Sequence, residues 1–206
     1  SIDIVGEFAA IGKLKSIVEI VTNCKSVRID SKTQTLSSEQ NFNGMSALET
    51  LGHWDFTNDT PVSYTEGVVD LTGFTKLLEV VDVDYILPEA MFGNCKSVKK
   101  IILPASLLCG ETTVAGRFPK GFFKNCSSLE EIVIPEGVTL QSIEYDTLKG
   151  CKSLKTVRVE GVVSPSVNIV FEYATVKGFT DIPADCKFIC SDKASAQKLA
   201  DMFTGA

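Results

Sequence analysis

Phe123-Lys124-Asn125-Cys126-Ser127-Ser128-Leu129-Glu130-Glu131-Ile132-Val133-Ile134-Pro135 is a sentence that this chain of 206 residues writes more than once. Phe92-Gly93-Asn94-Cys95-Lys96-Ser97-Val98-Lys99-Lys100-Ile101-Ile102-Leu103-Pro104 is a second copy, and Leu148-Lys149-Gly150-Cys151-Lys152-Ser153-Leu154-Lys155-Thr156-Val157-Arg158-Val159 a third. Each runs from an aromatic or Leu through two small or polar residues to Cys. Two polar residues, Leu or Val and two more polar residues follow, and then a β-branched residue, any residue and an aliphatic one. Self-similarity of this kind signals a repeat architecture and is settled before any single element is read.

The apolar anchors fall every third residue: Phe92, Cys95, Val98, Ile101, and again Phe123, Cys126, Leu129, Ile132. That step matches neither the 3.6 period of an α-helix nor the alternation of a strand. It fits a short helical or 3₁₀ turn that hands over to a short strand. In the strand, Ile101 and Leu103 point inward and Ile102 outward, then Ile132 and Ile134 inward and Val133 outward, then Val157 and Val159 inward and Arg158 outward. Pro104 and Pro135 end the strands, because proline cannot donate the next ladder hydrogen bond. A unit this small cannot bury its own apolar face, so the copies must stack into a solenoid with a continuous core. Cys95, Cys126 and Cys151 then form an interior column of thiols that behave as small hydrophobes. Asn94 and Asn125, directly ahead of the Cys, supply short amides that serve backbone groups at a tight turn.

The phrase F-x-N-C-x-S-L-x-x-I-x-I-P resembles the leucine-rich repeats of the BspA-like, Treponema pallidum type, found in bacterial surface proteins and in some protist ones. It covers residues 86–160 closely and most of the remainder weakly. The resemblance implies an α/β-type repeat solenoid: a right-handed superhelix of short parallel strands and short helical or 3₁₀ turns, closed by a C-terminal capping helix. It also implies a non-catalytic protein- or glycan-binding module of a bacterial cell-surface or secreted protein, with adhesion to host or neighbouring cells as its role. A structural spacer in a longer surface protein is the other reading.

The whole chain is expected to form one domain, with degenerate repeats over 1–85, clear repeats over 86–160 and a cap over 161–206. Hydrophobic residues make up 44% and charged residues 22%. No apolar run approaches the ~18 residues of a membrane span, so direct membrane insertion of this segment is not expected. The net charge is −6, from 26 acidic and 20 basic residues, and the lysines are scattered along the sequence. Nucleic acid is therefore not an expected partner. Ser1-Ile2-Asp3-Ile4 lacks the charged start and apolar core of a signal peptide, which suits a mature or trimmed chain. The seven Cys include Cys24, Cys95, Cys126 and Cys151 in repeat register, a pattern that favours reduced thiols over a disulfide framework. Cys186 and Cys190 form a C-x-x-x-C pair, but with a single His and no second pair a zinc site is not expected.

Near the start, Phe8, Ile11, Leu14 and Ile17 fit either a degenerate repeat or, with Val18 and Val21, an amphipathic capping helix over 7–21. Cys24-Lys25-Ser26-Val27 repeats the Cys-x-Ser-aliphatic phrase, yet Asp30 stands where a strand aliphatic belongs. Residues 31–41 read as a loop, and Phe42, Met45, Leu48 and Leu51 resume the repeat with Met in the Cys slot. Asn58-Asp59-Thr60-Pro61 reads as a turn, and Leu71, Phe74, Leu77 and Val80 as a further copy. The spacer from Pro104 to Phe122 is long and glycine-containing, the usual form of a rim insertion. Ser164-Pro165-Ser166 reads as a turn and Cys186 to Cys190 as a last strand. Asp192 then caps a helix over about 193–203 that covers the open core with Leu199, Met202 and Phe203.

Little here suggests chemistry. The sole imidazole, His53, falls where the register turns inward or to the strand edge, and no phosphate-binding or nucleophile-elbow motif occurs. Glu130-Glu131 and Asp82/Asp84 read as solvated edges rather than acid/base pairs, and no cofactor or metal is expected. What remains is surface: outward residues of successive parallel strands make a row. Trp54 (or Gly52), Ile102, Val133 and Arg158, flanked by Lys100, Glu131 and Thr156, form the expected binding face for protein or carbohydrate.

Overall fold

A three-residue step becomes structure through a chain of tight turns. The Cys126 N–H donates to the Phe123 carbonyl at 3.0 Å and the Leu129 N–H to the Cys126 carbonyl at 3.1 Å. Cys95 does the same to Phe92, Met45 to Phe42, Leu48 to Met45, Cys151 to Leu148 and Leu154 to Cys151. Each anchor is therefore hydrogen-bonded to the one before it with 3₁₀ spacing, which keeps all of them on one inner side. The turns do not run on as a helix because the residue ahead of the Cys slot is left-handed. Gly44 (φ 82°), Asn94 (63°), Asn125 (63°) and Gly150 (80°) hold that place, and Asn and Gly are the residues that adopt it at least cost.

The computed structural model describes residues 1–5, 22–36, 41–77, 90–105, 117–118, 120–144, 146–171, 174–176 and 182–204. In chain order the strands are β1 (Ile2–Ile4), β2 (Ser26–Asp30), β3 (Thr35–Leu36), β4 (Thr50–Asp55), β5 (Thr60–Ser63), β6 (Val68–Asp70), β7 (Lys76–Leu77) and β8 (Lys100–Ile102). They continue with β9 (Arg117–Phe118), β10 (Glu131–Ile134), β11 (Thr139–Glu144), β12 (Thr156–Val159), β13 (Val162–Phe171), β14 (Ala174–Val176) and β15 (Lys187–Cys190), and end in a helix, α1 (Lys193–Thr204). The main sheet runs β1-β2-β4-β6-β8-β10-β12-β15, parallel throughout and in the order of the sequence, with the β5 hairpin arm attached to β4. A second sheet, β14-β13-β11-β9, and the pair β3-β7 form further ladders. Successive rungs of one solenoid are the only simple way to lay parallel strands side by side in chain order.

Register fixes the core. Val27, Leu51, Val69, Ile101, Ile132 and Val157 stand in one line across the sheet, and all are buried. Beneath the turns the thiols of Cys95, Cys126 and Cys151 are fully buried, and each donates to a carbonyl of an earlier turn stacked against its own: Phe42 at 3.2 Å, Phe92 at 3.0 Å and Phe123 at 3.2 Å. Burial pushes the Cys126 thiol well above its ordinary range and Cys151 up to about 12, so neither ionises at neutral pH. The six described cysteines are free thiols. A second column of Phe42, Phe92, Phe122 and Phe123, all fully buried, fills the space beside them.

The structure moves several boundaries. Cys24 is not in the thiol column: Val27 pairs with Leu51, so Cys24 lies three residues ahead of a strand position and fills the slot of Leu48 and Val98. Its Sγ bonds the Ser26 carbonyl in its own segment. Ser26–Asp30 is itself the strand, and Asp30, buried at its end, pairs with Trp54. Thr35–Leu36 interrupts the loop expected over 31–41, and Thr60 and Pro61 belong to β5 rather than to a turn. Ser164-Pro165-Ser166 lies inside β13, where the pairing with β11 jumps from Val163 to Asn168 and the intervening residues bulge out. The expected rim insertion contributes β9; its residues 106–116, like residues 6–21, Val80, Asp82 and Asp84, lie outside those described.

The C-terminal cap follows its residues closely. Asp192 Oδ1 accepts the Ser195 N–H at 2.8 Å, the bond of an N-cap, and α1 packs against β13 and β15. Leu199 is buried, and Ser195 Oγ accepts the Val163 N–H at 3.0 Å, which joins the helix to the second sheet. The side chains of Met202 and Phe203 lie outside those described.

Candidate functional site

The outer side of the parallel sheet carries two rows of side chains. Lys100, Glu131 and Thr156 are register partners in one, and Ile102, Val133 and Arg158 in the other. The second row runs on to Ile189, 39% exposed, at one end and to Asp70, Gly52, Arg28 and Asp3 at the other. Six of the seven expected site residues are thus brought together.

Their chemistry is mostly mutual. Glu131 lies between two cations, 2.9 Å from Lys100 Nζ and 3.3 Å from Arg158 Nε. The hydrogen bond from Lys100, with Arg158 adding to it, holds the Glu131 carboxyl below its ordinary value. One rim further, Lys155 pairs with Glu130 and Lys25 with Glu49, so charge alternates from rung to rung. Val133 departs from expectation: it is only 6% exposed, and as the middle of three register partners it offers little surface of its own. Ile102 and Thr156 are half-buried and Arg158 partly exposed.

Trp54 stands apart from these six. It pairs with Asp30, two positions beyond the row of Arg28 and Gly52, at the end of β4 that has left β6 to pair with β5. There it meets Tyr64 edge-on at 5.4 Å, and the Arg28 guanidinium sits 4.7 Å above its ring and 5.4 Å from Phe56. Arg28 is held from the other side by a forked bond to Asp3, whose carboxyl it lowers, and Trp54 Nε1 donates to Asp59 at 3.1 Å. Gly52 is what lets this cluster form: a Cβ there would lie 1.9 Å from the Ser63 carbonyl oxygen, so only glycine admits the hairpin arm. Arg28, Tyr64 and Phe56 are absent from the sequence expectation. The signal for Arg28 was its place midway between the inward Val27 and Ile29.

His53 is a core residue. It occupies the inward line of Ile29, is 1% exposed, and packs edge-on against Phe74 at 4.5 Å. Nε2 bonds the Thr33 carbonyl at 2.8 Å; a carbonyl only accepts, so Nε2 carries the proton and Nδ1 faces Ser63 Oγ at 3.5 Å. Burial lowers its pKa. A folded value below the ordinary 6.5 means the unfolded chain binds the proton more readily, so stability is complete above pH 6.5 and declines as pH falls below it. Since His53 is the only histidine, the melting temperature of the protein is expected to drop between pH 7 and pH 5.5, and His53→Gln to be less stable but flat over that interval. A flat profile in the unaltered protein would contradict a buried neutral imidazole.

Among the described residues no three His, Cys, Asp or Glu side chains gather as a metal site, and no helix is long and apolar enough to cross a membrane. Parallel rungs, a buried thiol column and a left-handed turn ahead of it define a leucine-rich-repeat solenoid. The BspA type leucine rich repeat region matches residues 82–192 in six copies, and the chain belongs to that family. The rungs before residue 82 continue the same sheet although the family pattern does not reach them. Searches of curated proteins and of solved structures gave no match.

Proposed function

We propose that this chain is a non-catalytic recognition module of a bacterial cell-surface or secreted protein, acting as a single domain and contacting protein or carbohydrate through the outer side of its parallel sheet. Family membership supports a protein-binding repeat module, and adhesion to host or neighbouring cells is the role we assign to it. The observation that carries the reading is the outer face itself. It is a continuous parallel sheet bearing the Lys100–Glu131–Arg158 ion pairs beside Ile102 and Ile189 at one end and the Arg28–Trp54–Tyr64 cluster at the other. Extended repeat surfaces of this kind suit ligands that span several rungs. Trp54 and Arg158 offer the side chains with the largest contact potential, since aromatic and Arg residues dominate binding energy at interfaces.

The test is binding of the chain to immobilised extracellular-matrix proteins and to a glycan array. Trp54→Ala combined with Arg158→Ala is expected to weaken the strongest interaction found by at least about tenfold. Unchanged binding in a folded double variant discards this face as the site.

A further inference from the structure

Lysines that look scattered along the sequence are gathered by the rungs onto one edge. The residue ahead of the left-handed position is Lys124 in one turn and Lys149 in the next, and the Asn125 N–H donates to the Lys149 carbonyl at 2.8 Å, so the two segments lie directly against each other. The residue after the thiol is Lys96 in one turn and Lys152 two turns on, with Ser127 between them. Lys120 joins the same edge, its carbonyl accepting the Ala90 N–H at 2.9 Å. Lys96, Lys120, Lys149 and Lys152 are exposed and Lys124 partly so. The carboxylates described beside them are Asp146, 3.8 Å from Lys124, and Asp185. A chain of net charge −6 thus carries a basic edge, built from turn residues rather than from the sheet.

Between Lys149 and Lys152 lies an open depression of about 470 Å³, lined also by Asn125, Gly150, Ile182 and Pro183. An amide ladder ends at its wall. Asn125 Nδ2 donates to Asn94 Oδ1 at 3.0 Å and Asn94 Nδ2 to Asn43 Oδ1 at 3.4 Å. The next turn has Gly150 at the corresponding place, where a Cβ would come within 2.6 Å of Asn125 Oδ1. Glycine therefore brings no side chain of the following rung over Asn125, which is exposed. An acceptor, two ammonium groups and an apolar floor are thereby collected at one spot.

We propose that this turn edge binds an acidic polysaccharide. A sugar hydroxyl donates to Asn125 Oδ1, the C–H face of the ring lies on Ile182 and Pro183, and carboxylate or sulfate groups meet Lys149 and Lys152, with Lys124, Lys120 and Lys96 following the polymer along the rungs. The edge is suited to this ligand more than to nucleic acid: the described residues give it no aromatic ring on which a base could stack and no Arg for forked phosphate contact. It is a different surface from the outer side of the sheet, so either site can fail without the other.

The experiment is titration of the intact chain with polygalacturonate, as a carboxylated probe, and with heparin, as a sulfated one, between about 50 and 200 mM salt. Binding is expected to weaken steeply with salt. Lys149→Gln with Lys152→Gln should reduce affinity about tenfold and flatten the salt dependence. Lys193→Gln with Lys198→Gln, which removes the same charge on α1, should change affinity less than about twofold; Lys149, Lys152 and Lys193 are exposed and Lys198 partly so, and circular dichroism checks that both variants fold. Failure of both polymers to bind at the lowest salt overturns the proposal, as does equal loss in the two double variants. Tighter binding to single-stranded DNA or to phosphatidylserine vesicles would overturn it in favour of those partners.

Discussion

Phe92→Ala is expected to lower the unfolding free energy by about 3–5 kcal/mol, the range for deleting a fully buried aromatic ring. Phe92 is 0% exposed and joins three rungs: its ring stacks on Phe42 at 5.1 Å and meets Phe122 at 5.6 Å and Phe123 at 6.5 Å. Its N–H bonds the Phe122 carbonyl, and its own carbonyl receives both the Cys95 N–H and the Cys126 thiol. The rungs of a solenoid are stabilised chiefly by their neighbours, so a cavity here weakens two interfaces at once. Denaturant titration should show a lower midpoint, and hydrogen exchange should speed up first in β8 and β10. A loss below about 1 kcal/mol would mean that the aromatic column is not packed as described.

Gly52→Ala should be nearly as damaging, although it adds a single methyl group. The new Cβ would meet the Ser63 carbonyl oxygen at 1.9 Å and the Tyr64 Cα at 2.9 Å, all backbone atoms that cannot swing aside. The β5 arm must move away, at a cost of about 1–3 kcal/mol or more. Tyr64 then leaves Trp54, and Arg28 loses part of its aromatic seat. Trp54 is the only tryptophan, so its fluorescence reports the change without ambiguity: a red shift in the folded variant is expected. Emission identical to that of the unaltered protein would show that the arm does not rest on Gly52.

The three-residue step, the thiol column of Cys95, Cys126 and Cys151 and the Asp192 cap could all be read from the chain, because each depends on a local pattern that a turn or strand must obey; for His53 the pattern left the inward side and the strand edge both open. Cys24 misled for the opposite reason. Cys24-Lys25-Ser26-Val27 and Cys95-Lys96-Ser97-Val98 look alike, yet one ends on the strand and the other three residues ahead of it, and only the pairing of Val27 with Leu51 distinguishes them. Correcting that register is what puts Arg28 on the outer face. The burial of Val133 and the gathering of Lys124, Lys149 and Lys152 have the same origin. They depend on which residues stand on adjacent rungs, and turn lengths that vary from copy to copy conceal this in a linear reading.

Whether the rungs lie stacked in register is decided by methyl-to-methyl nuclear Overhauser contacts in the folded protein. Ile132 should show contacts to both Ile101 and Val157, its partners on either side, at the ~5 Å spacing of neighbouring strands, while Ile101 and Val157 show none to each other. Contacts from Ile101 to Val157 that bypass Ile132, or an Ile132 that reaches neither, would contradict the stacked solenoid.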